Sequence, residues 1–206
     1  MIAAVVLAAG ESRRMGRQKL LLPFAEKTVI EHVVDRVLAS AVDRVVVVTG
    51  RDHDALETAI GNRNVAVVRN ARYAEGMLSS VRCGVAAFSG EVRGFLFVLG
   101  DQPSVSTDTI NRLLDEFRTN RHGIVVPACG DRTGHPVVVA SRFRDAIMTR
   151  FDGVGLRGLL REYPGEVSRL QMQDDTVLFD MDTPTEYERE RARNAHSTGK
   201  AVDYEE

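Results

Sequence analysis

The stretch IAAVVLAAGESRRMGRQK, residues 2–19, joins a short apolar run to a basic loop that contains glycines. The apolar run is nearly continuous, which is typical of a strand buried on both faces of a parallel sheet. The loop holds two glycines and four cationic side chains, namely Gly10, Gly16, Arg13, Arg14, Arg17 and Lys19. Because doubly wound sheets bind ligands outside the carboxyl ends of their strands, this stretch predicts an anion site after the first strand of an α/β fold.

The same pattern of strand and helix continues along the chain. Apolar runs ended by turn residues occur in DRVVVVTG (43–50), NVAVVRN (64–70) and GFLFVLGD (94–101). Between them, apolar residues recur at helical spacing, as in residues 29–38 and 110–117. This alternation implies right-handed βαβ units and a mostly parallel sheet between helices, a three-layer α/β/α architecture.

After Gly123 the pattern changes. GIVVPA (123–128) and HPVVVAS (135–141) are separated only by a polar turn, which predicts a hairpin or a mixed extension of the sheet. We expect helices near 142–150 and 156–163, a strand near 177–180, and a last helix with Pro184 in its first turn. From His196 the chain is polar and aperiodic, so we expect one domain, residues 1–195, and a poorly ordered tail, residues 196–206.

Composition excludes several classes of protein. The 206 residues are 44% hydrophobic and 27% charged, with a formal net charge of −2, so bulk attraction to nucleic acid or to an anionic membrane is not expected. No signal peptide or membrane span is recognisable. Cys83 and Cys129 lack disulfide or zinc-type spacing. We therefore expect reduced thiols in a cytoplasmic protein.

The basic loop suits a polyphosphate. Gly10 and Gly16 let the backbone approach an anion closely, and successive N–H groups can surround phosphate oxygens. The stretch lacks both the Gly-Lys-Ser/Thr ending of a P-loop and the GxGxxG of dinucleotide folds. It therefore predicts a phosphate loop of another kind, with a merely solvated basic loop as the alternative.

The motifs resemble one known family. LAAGESRRMGRQK (7–19) is similar to the signature of the MobA-like nucleotidyltransferases, and four further motifs follow in family order: GMLSSVRCGV (76–85), VLGDQP (98–103), GHPVVV (134–139) and DMDTPTEY (180–187). In order and type they are most similar to the MocA branch, the molybdenum cofactor cytidylyltransferases. The resemblance implies a Rossmann-like nucleotidyltransferase fold and Mg²⁺-dependent transfer of CMP from CTP to the phosphate of molybdopterin, with release of pyrophosphate.

The resemblance also implies roles for individual residues. The nucleotide would be bound by Leu7, Ala8, Ala9, Gly10, Ser12, Arg14, Lys19, Gly76 and Ser80. Lys19 would contact the α-phosphate and Arg14 the β- and γ-phosphates, both as exposed side chains, and with Asp101 they form the catalytic set. Arg82 adds further charge to the second motif. Serines near a helix N-terminus also serve as caps, which is the alternative for Ser80.

The predicted reaction needs a metal rather than a general base. A phosphate nucleophile is largely ionised near neutral pH, so the lack of a Ser-His-Asp or Cys-His arrangement is consistent with it. Asp101 ends a buried strand, where a carboxylate requires a cation or hydrogen bonds. The resemblance favours Asp182 as the second metal ligand. Asp180 is the alternative ligand, and a helix cap near Thr183 is the alternative role of Asp182.

The sequence specifies the second substrate and the nucleobase less strongly than it specifies the phosphate-binding residues. His135, in the Gly-His-Pro motif, resembles a contact to the second substrate, although it can also fix a hairpin. Ala9 before Gly10 resembles the cytidylyl branch, so CTP is preferred to GTP. The other histidines do not cluster, which argues against a histidine metal site.

Four alternatives remain open. The motifs also fit a GTP-dependent guanylyltransferase, a nucleotidyltransferase for a sugar or alcohol phosphate, or an oxidoreductase, since one similar family carries that activity. It also fits a non-catalytic accessory protein that holds the cofactor for a molybdenum hydroxylase apoenzyme. Turnover separates the accessory protein from the enzymes.

Overall fold

The apolar runs form the strands of one eight-stranded sheet, as seen in a computed structural model that describes residues 1–198. A separate two-stranded hairpin follows the basic loop. In chain order the strands are β1 (Ile2–Ala8), β2 (Pro23–Phe24), β3 (Lys27–Thr28), β4 (Arg44–Thr49), β5 (Ala66–Arg69), β6 (Gly94–Leu99), β7 (Ile124–Cys129), β8 (Arg132–Thr133), β9 (Val137–Ala140) and β10 (Val167–Gln171).

The sheet is mixed in the way the sequence predicts. Its strand order is β10-β7-β9-β6-β1-β4-β5, with β8 paired to β7, and β2 pairs with β3 outside it. Strands β5, β4, β1 and β6 are parallel, whereas β9 runs antiparallel to both β6 and β7. Since β1 lies between β4 and β6, the chain leaves β1 in one direction and later returns on its other side, and the strand order reverses there.

Seven helices flank the sheet within residues 1–198. They are α1 (Val29–Leu38), α2 (His53–Ile60), α3 (Met77–Ala86), α4 (Thr107–Thr119), α5 (Arg144–Thr149), α6 (Leu156–Glu162) and α7 (Pro184–Thr198). Helices α1, α2 and α4 pack together, as do α3, α5 and α6. The two groups cover opposite faces of the sheet, which confirms the three-layer α/β/α prediction. No helix within residues 1–198 is both long and apolar enough to cross a bilayer.

Local signals fix where the helices start. At α1, the Thr28 hydroxyl accepts from the Glu31 backbone N–H at 3.4 Å, and the Glu31 carboxylate accepts from the Thr28 N–H at 2.9 Å. This reciprocal capping box supplies partners for two N–H groups that the helix itself leaves free. Ser106 caps α4 through the Thr109 N–H at 3.0 Å.

Gly84 allows α3 to lie close to β1. A Cβ atom at Gly84 would stand 2.3 Å from Cγ1 of Val5, far inside van der Waals contact. The close approach holds the first turns of α3, including Ser80, beside the carboxyl end of β1. A packing glycine in the helix therefore contributes to the position of the site.

Two strands in the C-terminal part differ from the sequence predictions. The strand predicted near 177–180 is wrong: Thr176–Leu178 is a single 3₁₀ turn whose Val177 carbonyl accepts one hydrogen bond from the His135 N–H at 3.0 Å. Strand β10 was not predicted, because as an edge strand it has partly exposed residues and no continuous apolar run. Helix α7 ends at Thr198, and residues 199–206 lie outside the described residues, so the domain boundary at 195 and the poorly ordered tail stay predictions.

Candidate active site

A cavity of about 430 Å³ lies at the carboxyl ends of β1 and β6, where the strand order reverses. Most of the predicted site residues line it, namely Leu7, Ala9, Gly10, Arg14, Lys19, Gly76, Ser80, Asp101 and Asp182, together with the alternative ligand Asp180. These residues come from four separate parts of the chain. The fold therefore brings together the motifs that the sequence could only place in order.

Three predicted residues lie outside this lining. Ala8 is buried within β1 and only 1% exposed. Ser12 lines an adjoining cavity that shares Gly10, Arg14 and Lys19 with the first one. His135 lies on the β8–β9 connection and lines neither cavity.

The basic loop has a defined shape. Ser12 and Gly16 both adopt left-handed backbone conformations, with φ of 50° and 66°. The Ser12 hydroxyl accepts from the Lys19 N–H at 3.2 Å and donates to Oε1 of Gln18 at 2.9 Å. A Cβ atom at Gly10 would meet nothing within 4 Å, so the backbone there borders open space. Such a loop can present its N–H groups to an anion without rearrangement.

Gln18 and Asp52 hold this loop and were missed by sequence reasoning. Nε2 of Gln18 donates to Oδ2 of Asp52 at 2.6 Å, which connects the loop to the start of α2. Gln18 is an uncharged residue among the cations of the loop, and Asp52 reads as an ordinary turn aspartate. The only sequence signal was the placement of Asp52 after a second parallel strand.

Lys19 joins two of the predicted carboxylates. Its Nζ donates to Oδ2 of Asp101 and, at 2.9 Å, to Oδ1 of Asp182. Lys19 is only 8% exposed, so the expectation of an exposed lysine is wrong. Lys19 begins the 3₁₀ turn Lys19–Leu21, and its ion pairs with the two carboxylates offset the desolvation of its side chain.

Charge fixes the protonation of this cluster. Burial lowers the pKa of Lys19, but the charges and hydrogen bonds of Asp101 and Asp182 outweigh it and hold that pKa above its ordinary value. Burial likewise raises the pKa of Asp182, yet Lys19 and Arg14 bring it below the ordinary value. The cluster therefore keeps a lysine cation and an ionised Asp182 at neutral pH.

Arg14 lies at the outer side of the cluster. It is exposed, as predicted, and its Nη2 lies 2.5 Å from Oδ2 of Asp182. Within residues 1–198 it has no other hydrogen bond, so four of its five donors are free for a ligand. A planar guanidinium suits phosphate oxygens.

Asp180 has a different environment from Asp182. Its Oδ1 accepts from Nε2 of Gln102 at 2.8 Å. Burial, reinforced by the negative charge of Asp101, raises the pKa of Asp180. Gln102, which sequence reasoning missed, is 3% exposed and its Oε1 has no partner among the described residues.

The donors suit a hard divalent cation that also binds a ligand. Within residues 1–198, no three His, Cys, Asp or Glu side chains lie close enough to form a metal site made by protein alone. Asp101 and Asp182 nevertheless share one cation, Lys19, through facing oxygens. Carboxylate oxygens suit Mg²⁺, which usually takes only one or two protein carboxylates and completes its shell with phosphate and water.

The opposite wall is formed by the start of α3. Gly76 precedes the helix with φ 101°, a backbone conformation that residues with a side chain rarely adopt. Ser80 is 4% exposed, and its Oγ accepts from Nδ2 of Asn70 at 3.0 Å. Tyr73 and the 55% exposed Met77 also line the cavity. Asn70, Tyr73 and Met77 were missed because each reads as a turn or core residue.

Arg82 does not add its charge to the cavity, contrary to the expectation from the second motif. Its Nε donates to the Ile147 carbonyl at 2.9 Å and Nη2 to the Arg150 carbonyl at 2.7 Å, and Nη1 lies 2.7 Å from Oδ1 of Asp152. Phe151, which lies between Arg150 and Asp152 in the chain, has a left-handed backbone conformation with φ 71°. Arg82 therefore connects α3 to the α5–α6 loop.

His135 is electrically coupled to the cluster although it lines neither cavity. Burial lowers its pKa to about 4; the negative charge of Asp101 opposes the shift and the positive charge of Arg157 adds to it. His135 is therefore neutral at pH 7. Its backbone N–H bonds the Val177 carbonyl, which supports the structural role that the sequence left open.

The match to known proteins is extensive. Residues 4–167 match the MobA-like NTP transferase domain. The chain is 32% identical over 189 residues to nicotine blue oxidoreductase of Paenarthrobacter nicotinovorans, covering 88% of this chain and 92% of that protein. It is 27% identical over 187 residues to molybdenum cofactor cytidylyltransferase of Escherichia coli, covering 90% and 93%.

Solved structures show the same fold. A nucleotidyl transferase from Methanothermobacter superposes with a TM-score of 0.83 at 28% identity, covering 96% of this chain and 99% of that one. A manganese complex of Rv0371c from Mycobacterium tuberculosis superposes with a TM-score of 0.79 at 27% identity, covering 93% and 98%. The chain belongs to the MobA-like NTP transferase family, and the predicted Rossmann-like fold is confirmed.

Proposed function

We propose that this member of the MobA-like family transfers CMP from CTP to the phosphate of molybdopterin, in the presence of Mg²⁺, with release of pyrophosphate. The observation that carries the proposal is the Asp101–Lys19–Asp182 cluster at the end of the 430 Å³ cavity. The arrangement combines a backbone open to an anion, cations for phosphate and carboxylates for a divalent metal.

The proposed reaction balances without a general base. An ionised oxygen of the acceptor phosphate forms a bond to the α-phosphorus of CTP, and the bond from that phosphorus to the bridging oxygen of the β-phosphate breaks. The electron pair leaves with pyrophosphate. No proton needs to be removed from the nucleophile, and catalysis consists of positioning and charge stabilisation.

Each residue has a defined task in this scheme. The backbone at Gly10 approaches the phosphates, Lys19 neutralises charge at the α-phosphate and Arg14 binds the β- and γ-phosphates. Asp101 and Asp182 would hold Mg²⁺, which supplies positive charge to the phosphate oxygens when bound. Asp180, whose Oδ1 accepts a hydrogen bond from Gln102, would serve as the alternative ligand.

The choice of CTP as donor and of molybdopterin as acceptor rests on fewer observations than the choice of reaction class. Ser80 and Gly76 line the wall where the base would bind, and Ala9 favours CTP over GTP. The cytidylyltransferase of E. coli supports molybdopterin as acceptor. His135 would act on the acceptor side, and a molybdenum hydroxylase apoenzyme would receive the product in the cytoplasm.

Pyrophosphate release tests the proposal. The protein is incubated with CTP, GTP, ATP or UTP, with and without molybdopterin, and with Mg²⁺ or Mn²⁺. We expect release with CTP that depends on both molybdopterin and metal. Release with CTP and a sugar or alcohol phosphate would keep the reaction class and change the acceptor, and preference for GTP would make the protein a guanylyltransferase.

A redox function is the second candidate, because a 32% identical relative is named an oxidoreductase. The loop after β1 lacks a GxGxxG fingerprint, which argues against an ordinary dinucleotide site. Oxidation of NADH or NADPH with an aromatic acceptor, without any pyrophosphate release, would favour this candidate. Binding of molybdopterin without turnover in either assay would indicate an accessory protein.

A further inference from the structure

Lys19 occupies the place between Asp101 and Asp182 that a metal shared by these carboxylates would take. Its Nζ bonds both carboxylates, and the residue is 8% exposed. We propose that Lys19 is an internal competitor that keeps free divalent metal out of the site, so that metal enters only together with the nucleotide. This inference rests on the proposed function, because it takes nucleotide phosphates as the second ligand of Lys19.

The charges of the cluster support the competition. Asp101 and Asp182 are both within ion-pair distance of one ammonium, and Arg14 adds a second cation on Asp182. A divalent cation that binds the same oxygens must first break both lysine ion pairs. It would then leave the lysine ammonium largely buried beside a metal of like charge, which is costly in a desolvated site.

A nucleotide removes that cost. Lys19 belongs to the loop whose backbone is open to an anion, and its own N–H is held by the Ser12 hydroxyl of that loop. When phosphate oxygens bind there, the ammonium can exchange carboxylate partners for phosphate partners without losing its charge compensation. The carboxylates then become available to the metal, which the phosphates also bind.

The arrangement makes metal and nucleotide binding mutually favourable. Each ligand removes a penalty that the other would otherwise meet, so the coupling is reciprocal. The Lys19 ion pairs also protect the site in the absence of nucleotide: both carboxylates already have a cationic partner and therefore do not bind free cations. Lys19 would thus have two successive roles, first as the cation of the empty cluster and then as a phosphate ligand.

Binding of Mn²⁺ without turnover tests the inference. Free Mn²⁺ is titrated by its electron paramagnetic resonance signal against wild type, Lys19→Gln and Lys19→Met, each without nucleotide and with a retained circular dichroism spectrum. Two variants of different polarity are used because either one can disturb folding. Arg14→Ala is the matched control, since it removes an exposed cation from the same carboxylate.

We expect the Lys19 variants to bind Mn²⁺ in the absence of nucleotide about tenfold or more tightly than wild type, with a smaller gain in Arg14→Ala. Adding Asp101→Asn to Lys19→Gln should abolish the gain. Equal affinities of wild type and both Lys19 variants would overturn the inference, as would a gain that survives Asp101→Asn.

One further titration distinguishes a failure of this inference from a failure of the proposed function. Wild type is titrated with Mn²⁺ in the presence of CTP. If CTP fails to promote Mn²⁺ binding, the proposed nucleotide site itself is wrong. If CTP promotes Mn²⁺ binding while wild type and the Lys19 variants bind free Mn²⁺ equally, the function stands and Lys19 is no competitor.

Discussion

Nζ of Lys19 lies 2.9 Å from Oδ1 of Asp182, although 163 positions separate the two residues in the chain. The lysine comes from the loop after the first strand, and the aspartate lies two residues before the start of α7. Their ion pair joins the loop after β1 to the segment before α7, and both residues line the cavity. The chemistry of the site therefore depends on contacts made across the whole fold.

Arg14→Ala and Lys19→Ala should both lose CTP affinity and rate, but with different effects on stability. Arg14 is exposed, so its replacement should leave the melting temperature nearly unchanged. Lys19 compensates two carboxylates at the sheet edge, and its loss leaves them facing each other. Calorimetric titration with CTP and thermal unfolding measure the two effects. Unchanged CTP binding in both variants would reject the phosphate loop.

Asp101→Asn and Asp182→Asn should each lower the transfer rate by at least about a hundredfold, which corresponds to roughly 3 kcal/mol of transition-state stabilisation. If both act through one metal, as proposed, the double variant should be little slower than the slower single variant. Single-turnover rates measure this. Multiplicative losses would show that the two residues act independently, and a larger effect of Asp180→Asn would move the ligand to Asp180.

His135 makes stability depend on pH. Its pKa of about 4 in the folded protein lies below the ordinary value near 6.5, so the unfolded chain takes up the proton first. The stabilisation is complete above pH 6.5, falls as the pH drops towards 4, and amounts to at most about 3 kcal/mol.

His32 should contribute in the same sense, because burial, followed by the charges of Arg36 and Lys27, lowers its pKa to about 4. Urea unfolding from pH 7.5 to 4 should show a shallower decline in His135→Gln than in wild type, and a shallower one again in His32→Gln/His135→Gln. An identical decline in wild type and both variants would contradict the burial of these histidines in their neutral form.

His135→Ala tests the acceptor role separately: molybdopterin binding should weaken while CTP binding persists.

Arg82→Ala should release the α5–α6 loop from α3. The guanidinium bonds two carbonyls and the Asp152 carboxylate, and Lys cannot reproduce this forked contact. Amide hydrogen exchange in residues 147–152 should accelerate in both Arg82→Ala and Arg82→Lys. Asp152→Asn, which leaves the two carbonyl bonds, is the milder control. Unaltered exchange in Arg82→Ala would show that the loop is held by other contacts.

Gly84→Ala should destabilise the fold by about 1–3 kcal/mol, because the new methyl group would overlap Val5. Gly165→Ala is the matched control, since a Cβ atom at that position meets nothing within 4 Å. The free energy of unfolding in urea compares the two. Equal stabilities would mean that α3 can move away from β1 at little cost.

Elements with a strong local sequence signal are predictable from the sequence, and elements without one are not. The run Ile2–Ala8 was recognised as a strand because burial on both faces leaves a continuous apolar pattern. Strand β10 was missed because it lies at an edge and has no such pattern. The apolar segment 177–180 predicts a strand, but local bonds from the Leu178 N–H to the Asp175 carbonyl and from the Phe179 N–H to the Thr176 carbonyl make Thr176–Leu178 a 3₁₀ turn.

The sequence by itself determined the α/β class, the place of the basic, glycine-containing loop and the kinds of residue at the site, because hydrophobic periodicity, glycine placement and charge are properties of neighbouring positions. Only the tertiary structure decided that Lys19 is buried between Asp101 and Asp182, that Arg82 is directed to the α5–α6 loop, and that Gln18 is held by Asp52. Each of these contacts joins residues from separate parts of the chain. Desolvation and pairing of charge depend on distances in space, which the order of residues does not contain.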